Sequence, residues 1–311
     1  MSDGSVITVG SFDGLHRGHQ AVVLEVVERA ARTGLRASLV TFEPHPAAVL
    51  APESAPRRLS SRIERLEALA ELGLERTHVL RFDTALAGLS AEQFVTRVLV
   101  ERCGMRELVI GADHGFGQGR AADRQTLPAL GRKLGFGVTV VAPVLDGGGQ
   151  AISSTRISAA LAAGELARAA EWLGRPYRMS GRVVPGAGRG RTIGMPTINL
   201  DGPMEEKALP LDGVYAVRVE WGGGTCGGMM NQGPRPTVGD TRRSMEAHLF
   251  GLDQNLYGRT VRIEWVHRLR SIQKFPSLDA LRAQLALDRE QAHAVLARPP
   301  ETSTARPIGA R

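Results

Sequence analysis

Val6-Ile7-Thr8-Val9-Gly10-Ser11-Phe12-Asp13-Gly14-Leu15-His16-Arg17-Gly18-His19 reads as a short β-branched strand that breaks at glycine and restarts as a helix. Two histidines, three residues apart, fall in the helix's first turn. The first backbone N–H groups of a helix have no intrahelical partner, and the macrodipole favours anions there. Imidazoles at positions i and i+3 share one face, so the turn reads as a polyphosphate site.

The stretch differs from the commoner phosphate loops, having neither a Gly-Lys-Ser/Thr ending nor a third glycine at dinucleotide-fold spacing. Without a P-loop lysine, His16 and His19 would neutralise charge developing on an α-phosphate under attack, while a divalent ion carries departing pyrophosphate. That pattern implies nucleotidyl transfer. A zinc pair is the competing use of His-x-x-His, but the glutamate of the zincin motif is missing.

Working outward, the chain alternates β-branched runs with amphipathic stretches up to about residue 175. Strands are expected at 5–9, 37–41, 77–81, 107–110 and 137–142, and helices near 16–32, 60–72, 90–103 and 125–135. Such alternation predicts an α/β fold, a doubly wound parallel sheet with ligands beyond the carboxyl ends of its strands. Three further segments fall at those ends: Phe42-Glu43-Pro44-His45-Pro46, Gly111-Ala112-Asp113-His114-Gly115-Phe116-Gly117, and Ile152-Ser153-Ser154-Thr155-Arg156. The last is either a helix cap or a second phosphate contact.

From Tyr177 the texture becomes rich in glycine and proline. Closely spaced strands at 179–184, 213–219, 225–230, 244–250 and 260–265 predict a small antiparallel barrel closed by a helix over 278–296. The domains expected are 1–175 and 176–297, with a disordered tail at 298–311. Within the second half, residues 181–199 join a glycine-rich stretch to Pro196-Thr197-Ile198-Asn199. The glycines fit either a flexible turn or close backbone approach to phosphates. Thr197 and Asn199 alternate on an extended segment and can offer two neutral oxygens to magnesium. Glu246 interrupts a strand-like run; periodicity fits a solvated edge residue and a general base equally.

At 311 residues the chain has room for two cores. The net charge of +7 does not argue for nucleic acid, because arginines are scattered and the only lysines are Lys133, Lys207 and Lys274. No apolar run approaches a membrane span, and Cys103 and Cys226 form no metal or redox motif. Together these predict a cytoplasmic protein without nucleic-acid or membrane partners, a monomer or weak homo-oligomer.

The chain resembles the bacterial bifunctional riboflavin kinase/FAD synthetases over residues 5–296. The likeness rests on the 10–19 segment, Thr41 to Pro46, the 111–117 loop, Ser153-Ser154-Thr155, Pro196 to Asn199, Arg235-Pro236-Thr237, Leu256-Tyr257-Gly258 and Lys274-Phe275, in order. The resemblance implies an amino-terminal nucleotidyltransferase that makes FAD from FMN and ATP, and a carboxyl-terminal kinase that makes FMN from riboflavin and ATP. By matching position, His16 and His19 would act on the α-phosphate, and Gly10, Ser11, Phe12, Asp13 and Gly14 would cradle the nucleotide with Ser153, Ser154, Thr155 and Arg156. Asp113 and His114 fall in the flavin-side loop. In the kinase half, Gly181, Gly186, Gly188, Gly190, Arg191 and Gly194 would cover ATP. Thr197 and Asn199 would take Mg2+, and Glu246 would be the base. The chain departs from the family at Ser158, where an arginine is common, at His114 and Met195, each usually Phe, and at Gly251-Leu252 in place of Asp-Phe. These departures define an alternative: a diverged copy in which only the kinase half is normal, or whose amino-terminal half takes another nucleotide or a modified flavin.

Overall fold

The computed structural model describes residues 4–117, 119, 121–186, 190, 194–234 and 243–298. Its contacts divide the chain into two compact units, with the division between Ser154 and Thr155.

The first unit is built on a five-stranded parallel sheet of β1 (Ser5–Val9), β2 (Arg36–Glu43), β3 (Arg76–Arg81), β4 (Met105–Gly111) and β5 (Gly137–Val141). The strand order is β3-β2-β1-β4-β5. β1 is buried along its whole length, as its unbroken β-branched run requires of a central parallel strand. The order reverses between β1 and β4, so the crevice between their carboxyl ends is the topological switch point of the sheet. The turn after β1 and the 111–117 loop after β4 both open there. Helix α1 (Arg17–Thr33) returns the chain from β1 to β2, burying Val22, Val23, Val26 and Ala30, and ends at Gly34 in the left-handed conformation. Helices α2 (Arg62–Ala70) and α3 (Leu127–Leu134) fall within the expected stretches.

The second unit contains helices α4 (Ser154–Ala162) and α5 (Leu166–Leu173) and a closed antiparallel barrel. The barrel comprises β6 (Arg178–Val184), β7 (Ile198–Asp201), β8 (Gly213–Trp221), β9 (Gly224–Pro234), β10 (Arg243–Leu249) and β11 (Thr260–Arg270). Its interior holds Met179, Tyr215, Val217, Met230, Met245, Ala247, Ile263 and Trp265. Helix α6 (Leu278–Leu296) lies on the barrel wall, where Ala292 meets Ala216 and Met229. Midway along α6 the wholly buried Asp288 receives Arg270 through Nε at 2.9 Å and Nη2 at 2.7 Å, and Gln284 at 2.8 Å.

Two sequence expectations need correction. β7 and α5 were not among the expected elements: β7 has four residues, and the segment of α5 precedes the change of composition. β9 and β11 run well beyond 225–230 and 260–265, because each pairs on both sides and sheet context overrides the weak propensity of glycine, asparagine and arginine. The contact division precedes the composition change at Gly174–Tyr177. Residues 155–173 belong with the barrel, where the Leu211 N–H donates to the Leu161 carbonyl at 3.0 Å. Gly188, Arg191, Arg235-Pro236-Thr237 and the tail from Pro299 lie outside the described residues.

Candidate active sites

In the first unit the turn after β1 is fastened at several points. Phe12 and Leu15 hold positive φ angles of 49° and 43°, uncommon for residues with side chains, and Gly14 lies at φ 74°. Asp13 explains how that shape persists. Its buried carboxylate accepts the Leu59 N–H at 2.8 Å, the Ser60 N–H at 3.0 Å and the Ser60 hydroxyl at 3.0 Å. The Gly14 N–H donates to Ser60 Oγ, and Ser154 Oγ donates to the Asp13 carbonyl at 3.0 Å. Asp13 and Ser154, both expected to touch nucleotide, therefore have structural partners that shape the turn.

His16 caps α1: its Nδ1 accepts the His19 N–H at 3.4 Å, which in the neutral ring leaves the proton on Nε2. The two rings stack at 3.7 Å between centroids, and Phe12 leans on His19 at 5.2 Å. Burial, reinforced by the neighbouring titratable rings of His16 and His114, holds His19 well below the usual imidazole range. His19 Nδ1 is buried without a hydrogen-bond partner among the described residues. Gly18 lets the helix start pass close to His16, since a Cβ there would lie 3.2 Å from the imidazole. The histidine pair and the β4 loop thus come together. Asp113 is an exposed residue of that loop, and the His114 ring sits 5.6 Å from Phe116. No group of three or more His, Cys, Asp or Glu among the described residues is arranged to hold a metal.

Thr155 and Arg156 count with the second unit. The Arg156 guanidinium lies over the Trp172 ring at 4.3 Å, a cation–π contact that gives it a structural role.

In the barrel the site is written in the register. Glu246 on β10 stands directly opposite Asn199 on β7 and opposite Asn231 on β9. Direct partners bring Cβ atoms to about 5 Å, and Thr197 lies two residues before Asn199, just ahead of β7. Glu246 shares a face with His248, away from the buried Met245, Ala247 and Leu249. The His248 ring nitrogen Nδ1 pairs with the Pro196 carbonyl at 2.8 Å, pinning the segment before Thr197. Asn231 is a neighbour that the sequence did not single out; only strand pairing reveals it.

The glycines divide by role. A Cβ at Gly186 would collide with the Asn199 amide, and one at Gly190 with the Met195 carbonyl, whose own N–H bonds Gly190 at 2.8 Å. Gly194 lies at φ 76°. Gly181 sits within β6, where a Cβ would come 3.0 Å from the Asp201 carbonyl, so strand pairing accounts for it. Met195 packs against the cluster of Ala216, Met229 and Ala292.

Comparison with known proteins agrees with both halves. A family model described as FAD synthetase matches residues 1–156, and one described as riboflavin kinase matches residues 173–296. The bifunctional riboflavin kinase/FMN adenylyltransferase of Escherichia coli (strain K12) is 40% identical over 287 residues, 92% of this chain and 91% of its own. That of Pseudomonas fluorescens is 40% identical over 296 residues, 94% of each chain. That of Bacillus subtilis (strain 168) is 35% identical over 293 residues, covering 93% and 91%. A crystal structure titled as a macrolide-efflux protein from Streptococcus pneumoniae superposes with a TM-score of 0.85 at 32% identity, over 94% of this chain and 95% of that one. With two family models in order and relatives matched over nearly their full length, the chain belongs to the bifunctional riboflavin kinase/FMN adenylyltransferase family.

Proposed function

We infer that the barrel phosphorylates riboflavin to FMN and the amino-terminal unit adenylylates FMN to FAD, each using ATP. The observation that carries this reading is the presence, in one chain, of a stacked histidine pair at the switch point of a parallel sheet and an Asn199–Glu246 pair in register on a closed barrel. In the first reaction the ribityl 5′-hydroxyl attacks the γ-phosphorus of ATP and ADP leaves. Glu246 would accept the hydroxyl proton. In the second, a phosphate oxygen of FMN attacks the α-phosphorus of ATP and pyrophosphate leaves. His16 and His19, with the N–H groups opening α1, would donate to the α-phosphate oxygens as charge builds on them.

Mg2+ fits the Thr197 and Asn199 oxygens: two neutral ligands leave the remaining positions to water and nucleotide phosphates, as this cation prefers. When bound it would neutralise phosphate charge. The chain's own part is to hold Asn199 in place, through its register with Glu246 and the room left by Gly186. No helix among the described residues is long and apolar enough to cross a membrane.

The test is incubation of the full chain with riboflavin, ATP and magnesium, followed by separation of the flavins. FMN should appear first and FAD after it. FMN alone would confine the activity to the barrel, and neither product would refute the reading.

A further inference from the structure

Beside the amino-terminal turn lies a concentration of positive charge that neither reaction step above uses. Arg58 and Arg65 converge on a single carboxylate. Arg65 Nη2 donates to Glu43 Oε2 at 2.8 Å and to the Phe42 carbonyl at 3.3 Å, while Arg58 Nη1 reaches Glu43 Oε1 at 3.4 Å. The other nearby carboxylate, Asp13, already accepts from Leu59 and Ser60. Asp13 still balances charge here, but its oxygens are taken by neutral donors, so Glu43 alone is left to accept from both guanidiniums. The Arg65 side chain is 0% exposed and that of Arg58 16%.

Four guanidinium nitrogens here, Nε and Nη1 of Arg65 and Nε and Nη2 of Arg58, are buried without an acceptor. Buried charged donors left unmatched are costly, and a fold retains them where something else completes them. Burial and the facing Arg58 both push the Arg65 pKa down, and the same two influences push His45 down. An anion would supply the missing acceptors. The place is fastened to the catalytic turn, since Arg58 immediately precedes Leu59, whose N–H holds Asp13 three residues before His16. Arg58 is the member with access to solvent, and its one ion pair is long enough to yield to a better acceptor.

We propose that Arg58 binds a phosphate group of a substrate in the amino-terminal unit, with Arg65 behind it as a positioning residue that holds Glu43. This rests on the assignment of adenylyl transfer to that unit. The guanidinium fork fits the triphosphate of ATP and the 5′-phosphate of FMN alike.

The experiment uses the full chain with magnesium. KM for ATP is measured at saturating FMN, and KM for FMN at saturating ATP, in wild type, Arg58→Ala and Arg58→Lys. Riboflavin phosphorylation serves as the internal control. Loss of a charge-assisted contact should raise one of the two KM values by about tenfold or more and leave FMN formation unchanged. The KM that moves identifies the phosphate. Lysine should restore part of the affinity, and Arg65→Lys should shift the same KM with kcat held. Should Arg58→Ala fail to fold, Arg58→Lys against wild type carries the comparison. Unchanged KM values in a variant that still makes FAD would overturn the proposal. If wild type makes FMN but no FAD, the adenylyl-transfer assignment has failed instead. Calorimetric binding of inorganic pyrophosphate then decides on Arg58 separately: weaker binding by Arg58→Ala upholds the site, and equal binding removes it.

Discussion

The amino-terminal unit carries its proposed phosphate-handling groups on a turn, and the barrel carries Asn199 and Glu246 on paired strands. On the turn, a left-handed Phe12, a buried Asp13 and the Ser60 and Ser154 hydroxyls hold a shape that the backbone alone would not keep. On the barrel, Asn199 and Glu246 need no such fastening, because hydrogen-bonded register already places them. The groups differ in kind as well. The first unit offers imidazoles, whose charge depends on pH, whereas the second offers neutral oxygens and one carboxylate. A site on a turn is therefore sensitive to residues that never touch substrate, and a site on paired strands is sensitive mainly to its own side chains.

The sharpest way to break this comparison is to remove one group from each side. His19→Ala should lower FAD formation about a hundred- to a thousandfold while FMN formation persists. Glu246→Gln should slow FMN formation about a hundred- to ten-thousandfold and leave FAD synthesis from supplied FMN intact. Either substitution abolishing both products in a folded chain would show that the units do not work separately.

Next in size is the fastening itself. Asp13→Asn keeps the shape but weakens three accepted hydrogen bonds, and should destabilise the first unit by about 1.5–3 kcal/mol. Denaturant unfolding would read this, with a parallel fall in FAD formation. On the barrel side, Gly186→Ala puts a methyl group into the Asn199 amide. We expect the magnesium concentration for half-maximal FMN formation to rise about tenfold, with FAD formation from FMN untouched.

The smallest expected effect is on pH. His19 sits below its unfolded value of 6.5, so the neutral ring is the stable form in the fold. Its contribution to stability is fully present above about pH 6.5 and is lost as pH falls from there toward the folded value. A bound phosphate draws the ring back toward its cation, so ATP binding to the first unit should take up protons and weaken as pH rises. Calorimetry of ATP binding in two buffers of different ionisation enthalpy would detect that uptake, and His19→Ala should remove it.

How much of this was legible beforehand follows from the same contrast. The His16/His19 turn could be read directly, because glycine after a β-branched strand and histidines at helical spacing are local signals. The parallel sheet and the barrel followed from alternation and from strand spacing. Asp13 was read as a nucleotide contact, since its partners Leu59 and Ser60 lie far along the chain. Glu246 stayed undecided by periodicity, and its pairing with Asn199, which supports the proposed role, is long-range. Asn231 was invisible for that reason too. The contact of Arg156 with Trp172, a helix away, was likewise not legible. Arg58 and Arg65 carry no motif; only their burial and their unmatched donors mark them.

The clasp between Arg270 and Asp288 sets a limit on how far the chain can be shortened. A protein cut before Asp288 would strand a guanidinium, 18% exposed, at the end of β11 with its carboxylate gone, a loss on the order of 3–5 kcal/mol for a buried pair. A cut just after Leu296 keeps the clasp and the carbonyl that Arg218 reaches. For anyone trimming the molecule to a minimal flavin-phosphorylating barrel, the last helix is the hoop that keeps the staves together.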